Sequence, residues 1–467
     1  MRIDITKKLL VFAIGLILLA LVGAVLSYGS RLISIGTAYK AKMLCSEVFV
    51  AGRDTNTVLG DLIVDDLAAL RIISSSIDSI EKTATASLYG FAECKTYYRG
   101  DCGCALSSDE VSPVSYKIRV REGQDSARYP SPKEGQPIEP EKISSMDNPR
   151  LMAVLDHAFS EPNPEHPQRT RAVLIVHKGY IVAERYADDI GPNTPLLGWS
   201  MTKSVMNALV GILIKEGLLA LDTPILAEAW SRNGDPRRNI KLEDLLHMSS
   251  GLEFDEDMTD PLADVSHMLL KERDMAAYAA DKSLQADPGS LWQYSSGTTN
   301  IMSGLLRRVL GDEAYYQFPR KALFNPLGMT RAVFETDAAG TFVGSSFLYA
   351  TAREWARFGL LYLQDGIWEG ERILPEGWVQ YTRTPAPADP QAAYGAHFWL
   401  RIPKEYRGSR NTIPADAFHA VGHEGQFVTI VPSYNMVIVR FGKTRYPQAW
   451  RHDVFVSNVL TALDEVK

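Results

Sequence analysis

A serine and a lysine stand three residues apart in Gly198-Trp199-Ser200-Met201-Thr202-Lys203-Ser204, at the entry to an apolar run. From Lys203 to Glu216 the residues Val205, Met206, Leu209, Val210, Ile212 and Leu213 recur at helical spacing, and Gly217 supplies a stop. Residues three apart on a helix share a face, with Cβ atoms about 5–6 Å apart, so the Lys203 ammonium reaches the Ser200 hydroxyl. That hydroxyl becomes a nucleophile when a base takes its proton, and a lysine desolvated among apolar side chains has its pKa lowered enough to be that base. A helix N-terminus at Ser200 also aims backbone N–H groups at a developing oxyanion. Ser-x-x-Lys arises by chance about once or twice in a chain this long, so the reading needs partners.

Two stretches downstream provide them. Tyr294-Ser295-Ser296 precedes a helical run at 301–310, and a phenol near an ammonium loses its proton more readily and can serve as general base. Gly422-His423-Glu424-Gly425-Gln426 leads into a strand beginning at Phe427. Glycines on both sides let the backbone approach a ligand closely, and His423 can donate to a substrate or an oxyanion. His423-Glu424 is not a zinc motif, because the fifth position is Phe427 rather than histidine. Neither a metal nor an organic cofactor is expected.

In this order, Ser-x-x-Lys, Tyr-x-Ser and His-x-Gly resemble the serine β-lactamase and penicillin-binding protein superfamily, in its class C, esterase and 6-aminohexanoate-dimer hydrolase branch. Leu245-Leu246-His247-Met248-Ser249-Ser250-Gly251-Leu252, Asn325-Pro326-Leu327-Gly328-Met329 and Ala352-Arg353-Glu354-Trp355-Ala356-Arg357-Phe358-Gly359 are similar to it as well. The resemblance covers residues 148–467. It implies that Ser200 is acylated, that Lys203 and Tyr294 share base and acid duties, and that His423 stands where lactam-binding relatives carry the lysine of Lys-Thr-Gly. The N–H groups of Ser200 and Gln426 would form the oxyanion hole. Ser296, Gly425, Trp199 and Trp292 are the expected substrate contacts, with Trp399 and Phe398 as further candidates for an acyl pocket wall. Ser296 takes the place of an asparagine common in β-lactamases, which together with His423 counts against efficient β-lactam hydrolysis. Met258, in the loop where oligo-amide hydrolases carry an additional tyrosine, cannot donate a hydrogen bond to an amide nitrogen.

The elements that must position these residues follow from pattern. Strands at 172–176 and 180–183, joined by a tight turn, form an antiparallel hairpin, unlike the parallel sheet behind Gly-x-Ser-x-Gly hydrolases. Strands at 427–431 and 436–441 flank the turn residues Pro432-Ser433-Tyr434-Asn435. Helices are expected at 151–159, 242–247, 354–363 and 454–463. Strands at both ends with helices between them give an α+β fold: an antiparallel sheet flanked by helices, with a helical insert. Glu253-Phe254-Asp255-Glu256-Asp257 reads as a solvated acidic loop, since it lacks the glycine and distal glutamate of a calcium loop.

The first 147 residues fall outside the resemblance. Residues 9–26 carry no charge and follow Arg2, Lys7 and Lys8; at 1.5 Å per residue they just span a hydrocarbon core roughly 30 Å thick. We read residues 1–28 as an N-terminal transmembrane anchor or uncleaved signal, single-pass in the inner (cytoplasmic) membrane, with the catalytic domain on the periplasmic or extracellular side. A cleaved signal is the alternative. All four cysteines, Cys45, Cys94, Cys102 and Cys104, lie in the segment 29–104, read as a small exported subdomain with two disulfides; a zinc site is the competing reading. Residues 105–147 form a Pro-rich linker or arm. The chain of 467 residues is 46% hydrophobic and carries a net charge of −7, which argues against nucleic acid as a partner. The expected partners are a small ester or amide substrate and the membrane. A cell-wall peptide peptidase or amidase, or a weakly catalytic wall-peptide binding module, are the alternative functions.

Overall fold

The computed structural model describes residues 2–106, 148–409 and 413–464; the linker expected at 105–147 lies, beyond Leu106, outside the described residues. A five-stranded antiparallel sheet runs in the order Phe418–Gly422, Gln426–Val431, Met436–Gly442, Thr170–His177, Tyr180–Tyr186. First and last parts of the sequence thus meet at its centre, where Ile438 pairs with Ile175. Both faces are covered, so the central strands are apolar throughout instead of alternating with polar residues. Val173, Ile175 and Ile438 point into a core shared with the helices Pro149–Ala158 and His452–Asp464. Ala172, Leu174, Val176, Val437 and Val439 point the other way, into the main core. Here the helix Ala352–Leu363 lies directly on the sheet, and a Cβ at Gly359 would come within 2.6 Å of Val437.

The central helix, Met201–Lys215, which follows Ser200, runs through the centre of the molecule and is buried at every position from Met201 to Leu213, which explains its nearly uniform apolar composition. Its polar interior residue Asn207 is satisfied on both sides: it donates to the Ala396 carbonyl at 2.9 Å and accepts from the Trp378 indole at 2.9 Å. Gly217, at φ +74°, ends the helix in the left-handed region. The helical insert contributes Leu242–Leu246, Asp264–Lys271, Met275–Ala280 and Ser296–Pro319, the last bent at Gly311.

The N-terminal helix is longer than its apolar stretch, running unbroken through Arg2–Phe49. Phe12–Phe49 is long and apolar enough to cross a membrane. The helix has two characters: Leu16, Leu19, Leu21 and Val25 are exposed, whereas Ala38, Ala41, Leu44 and Cys45 are fully buried. Its buried half packs on a four-stranded antiparallel sheet, Ser74–Asp78, Thr83–Leu88, Phe91–Tyr98 and Cys104–Leu106. Met43, Leu44, Val58, Leu62 and Ala84 belong to the same hydrophobic core as the helix Met201–Lys215. Ion pairs add to this junction: Lys42 meets Glu335, which also accepts from Ser46 Oγ at 2.8 Å and from the Cys104 N–H at 2.7 Å.

Of the two disulfides expected, one is present, Cys45–Cys104; Cys94 and Cys102 are free thiols. Cys94 lies on the strand Phe91–Tyr98 and Cys102 in the turn Gly100–Cys102 that follows it, in different environments. Cys94 packs with Ala41 and Ala86 in a small cluster under the N-terminal helix, while Cys102 is buried in the main core.

Candidate active site

Ser200 sits where a short strand, Leu196–Leu197, turns into the central helix. The turn is tight. A Cβ on Gly198 would lie 2.5 Å from the Trp355 ring, and Trp199 adopts φ +48°, a conformation rare for a bulky residue and costing about 1–3 kcal/mol. Its indole is buried and donates to Glu424 at 3.3 Å, so Trp199 links the first motif to the third.

Lys203 is 1% exposed, and its Nζ has three partners: Ser200 Oγ at 2.9 Å, Ser296 Oγ at 3.0 Å and the Ser345 carbonyl at 3.0 Å. Burial lowers its pKa to about 8, against the opposing pull of Glu256. A substantial neutral fraction near pH 8 is what a general base requires. Tyr294 hydrogen-bonds Ser200, and its ring lies 4.8 Å below the Lys203 ammonium. Burial, reinforced by the negative Glu256, raises the phenol above its ordinary value, so the ammonium does not ionise it. The resting site therefore holds a protonated tyrosine beside a lysine that readily sheds its proton.

Ser296 opens the helix that follows Tyr294, and Ser295 caps it by accepting from the Thr298 N–H at 3.1 Å. The Ser296 partner is the residue sequence reasoning missed. Glu256 accepts from the Ser296 N–H at 2.7 Å and from its Oγ at 2.5 Å. The acidic stretch is therefore solvated only in part: Glu253, Asp255 and Asp257 are exposed, whereas Phe254 is buried and Glu256 and Met258 are partly buried. Phe254 fixes that phase by packing so closely on Gly297 that a Cβ there would come within 2.6 Å of its ring. A period of two starting from the one aromatic in the run was the available signal. Burial raises the Glu256 carboxyl pKa, and Lys203 opposes that rise.

The third motif approaches from the sheet. A Cβ at Gly422 would fall 2.2 Å from the Gly198 carbonyl oxygen, so this glycine permits backbone to meet backbone. His423 packs edge-on against Trp199, ring centroids 5.5 Å apart, and its Nε2 lies 3.2 Å from Arg445 Nη1. An arginine only donates, which assigns the proton of neutral His423 to Nδ1. Burial and then Arg445 lower its pKa to about 4, so His423 is uncharged at neutral pH. Arg445 also pairs with Glu424 at 2.9 Å and with Asp66 at 2.7 Å. Burial would raise Glu424, but Lys443 and Arg445 bring it down to about 2. Beneath the turn, Arg440 donates to the Gly425 carbonyl at 2.7 Å. The Gln426 side chain donates to the carbonyls of His423 at 3.0 Å and Gly442 at 2.7 Å.

Ser200, Lys203, Tyr294 and Ser296 thus form one cluster, with His423, Gly425 and Gln426 on the adjoining turn. Trp292 and Trp399 stand beside Tyr294 in an aromatic group: Trp399 stacks on Tyr294 at 5.6 Å and meets Trp292 at 6.2 Å. The Trp292 indole N–H is buried without a partner. Phe398 is core, fully buried against Phe358, Tyr362 and Phe418. No group of three or more His, Cys, Asp or Glu placed to hold a metal occurs among the described residues.

Comparison with known proteins agrees with this geometry. The family model described as Beta-lactamase matches residues 156–456. The 6-aminohexanoate-dimer hydrolase of Paenarthrobacter ureafaciens is 27% identical over 221 residues, 45% of this chain and 56% of that protein. The chain therefore spans little more than half the length of that relative. Among solved structures, one provisionally named 6-aminohexanoate-dimer hydrolase from Bacillus anthracis superimposes with a TM-score of 0.55 at 22% identity, covering 69% of this chain and 84% of its own. EstCE1, a hydrolase with promiscuous acyltransferase activity, gives 0.54 at 16% identity over 69% of this chain and 99% of its own. These two likenesses carry the fold, while the match across 156–456 carries the family: the chain belongs to the beta-lactamase family, in the serine β-lactamase and penicillin-binding superfamily.

Proposed function

We propose that the chain is a serine hydrolase that cleaves a carboxylic ester or a short linear amide through an acyl-enzyme on Ser200. The observation that carries this is a lysine of lowered pKa, 1% exposed, with its Nζ 2.9 Å from the serine oxygen. Lys203 takes the Ser200 proton as Oγ bonds to the acyl carbon. The carbonyl oxygen gains negative charge, which the N–H groups of Ser200 and Gln426 stabilise. Collapse breaks the bond to the alcohol or amine, which leaves with a proton delivered through the Tyr294 hydroxyl. Water then attacks the acyl carbon, gives its proton to Lys203, and Ser200 is released with the acid.

Substrate preference follows from the third motif. A neutral His423 supplies no fixed positive charge, whereas a lysine in its place would attract the carboxylate of a β-lactam. The names of the relatives, a 6-aminohexanoate-dimer hydrolase and a hydrolase with acyltransferase activity, accord with acyl transfer from a linear amide or an ester. Ser296, Gly425 and Trp292 are the proposed substrate contacts, and Trp292 has an unused indole N–H to offer.

The exposed half of the N-terminal helix anchors this domain in the cytoplasmic membrane, with the catalytic part outside. Exposed Leu16, Leu19 and Leu21 support the anchor, and Cys45–Cys104 supports an oxidising compartment. The test is hydrolysis of p-nitrophenyl esters, linear amides and a chromogenic cephalosporin by the full chain in detergent. Ester or amide turnover that vanishes in Ser200→Ala is the expected result. Cephalosporin turnover exceeding ester turnover would overturn the substrate assignment.

A further inference from the structure

The partners of Lys203 raise a question of direction. A neutral amine has two N–H groups and one lone pair, and Lys203 Nζ lies within hydrogen-bond distance of three oxygens. The Ser345 carbonyl can only accept, so it takes one N–H. Ser296 is ambiguous by itself. Its Oγ can accept the second N–H, or its own hydrogen can point at the lysine lone pair. In the second arrangement the lone pair is occupied, and the remaining N–H points at Ser200 as a donor. Lys203 then cannot take the Ser200 proton.

Glu256 resolves the ambiguity. Its carboxylate accepts from the Ser296 N–H at 2.7 Å with one oxygen and from the Ser296 hydroxyl at 2.5 Å with the other. With its hydrogen committed to Glu256, Ser296 Oγ can only accept from Lys203, and the lone pair is left facing the Ser200 hydroxyl. We propose that Glu256 is a positioning residue that sets the direction of the Ser296–Lys203–Ser200 hydrogen bonds and so makes Lys203 a base toward Ser200. This deepens the hydrolase reading and rests on it. Glu256 acts through Ser296 and forms no bond to the substrate.

The test is a double-mutant cycle between Glu256→Gln and Ser296→Ala, read as kcat and KM across pH on a p-nitrophenyl ester. The glutamine amide donates to Ser296 Oγ and turns that hydroxyl toward the lysine lone pair. Glu256→Gln therefore lowers kcat about ten- to a hundredfold, part of the range general-base catalysis supplies, with KM within about twofold. Its acid limb moves to lower pH, because the charge that raises the Lys203 pKa is gone. In the Ser296→Ala background no hydroxyl remains to turn, so Glu256→Gln adds less than about a twofold loss. Should Glu256→Gln fail to fold, Glu256→Ala enters the same cycle: it removes the acceptor that holds the Ser296 hydrogen and the charge near Lys203, so a smaller loss of kcat, again confined to the background that keeps Ser296, and the same shift of the acid limb are expected. Equal losses in both backgrounds, or wild-type kcat in Glu256→Gln, overturn the proposal. Activity surviving in Ser200→Ala would instead sink the hydrolase reading itself, which keeps the two failures distinct.

Discussion

The two walls of the site are held in opposite ways. On one, Ser200, Lys203, Ser296 and the Ser345 carbonyl are joined by hydrogen bonds, with Glu256 one residue removed from the ammonium. On the other, the His423–Gly425 turn is gripped by two arginines: Arg440 on its carbonyls from beneath, Arg445 on His423 and Glu424 from the side. The difference follows from what each wall must do. In the proposed reaction a proton moves along the first wall through Lys203, whose pKa is lowered to about 8, and a strong ion pair there would fix its charge. The second wall needs only to keep its shape, and fixed charges do that without interfering.

The walls also differ in origin. Every residue of the first lies within 156–456, the stretch that matches the family. The second reaches outside it through Arg445 to Asp66, in the turn Asp65–Ile72 of the N-terminal segment. Behind Trp199 a cavity of about 30 Å³, large enough to admit water, continues this junction and is lined by Glu47 and Arg53 from the N-terminal side and by Glu424 and Lys443 from the third motif and the strand end beyond it. The segment carrying the apolar helix is therefore built into the support of the third motif.

The sharpest contrast comes from removing the base. Lys203→Met should lower kcat by about 10²–10⁴-fold, the range general-base catalysis supplies, while the melting temperature is unchanged or rises, because an apolar chain replaces a buried amine. In the wild type, kcat/KM should climb with pH to a plateau above about 8, the value to which burial lowers Lys203. A flat profile from pH 6 to 9 would contradict that assignment. Arg445→Met tests the other wall and should reverse the pattern, with stability falling by about 3 kcal/mol as Glu424 loses a close partner in a buried setting, and kcat falling less than in Lys203→Met. Chemical denaturation alongside kinetics reads both. Asp66 is 48% exposed in its side chain, so Asp66→Asn should cost about 0.5–1 kcal/mol, less in high salt.

Acid should silence the first wall, where Lys203 gains its proton below about pH 8, before it weakens the fold. Burial lowers His397 and His419 to about 3 and His423 to about 4, against about 6.5 in an unfolded chain. Below pH 6.5 the unfolded state binds protons that the folded state refuses, so stability falls as pH drops from 6.5 toward 4. A melting temperature that stays constant over that interval would show that these histidines are not held neutral.

Much of this was legible in the sequence because the signals are local. The runs at 172–176 and 436–441 are apolar enough to announce buried strands, and Ser200 and Lys203 lie one helical turn apart. What escaped depends on residues distant in sequence. Glu256 reads as one acid among several until Phe254 fixes which side of the loop faces inward. The Arg445 contact to His423 spans 22 residues, and the one to Asp66 spans 379. The N-terminal helix passes beyond its apolar stretch because its second half finds a buried face only in the assembled fold, with Ala41 against the small strand residue Ala86. The second disulfide fails for the same reason: an even cysteine count does not reveal that Cys94 and Cys102 belong to separate cores.

The central claim is that Ser200 carries the acyl group, and rapid quenching of a p-nitrophenyl ester reaction followed by mass spectrometry of the digested protein tests it most directly. The account predicts an acyl adduct on the Ser200 peptide in the wild type, formed in a burst, and neither adduct nor turnover in Ser200→Ala. An adduct on another residue, or turnover undiminished in Ser200→Ala, would contradict it.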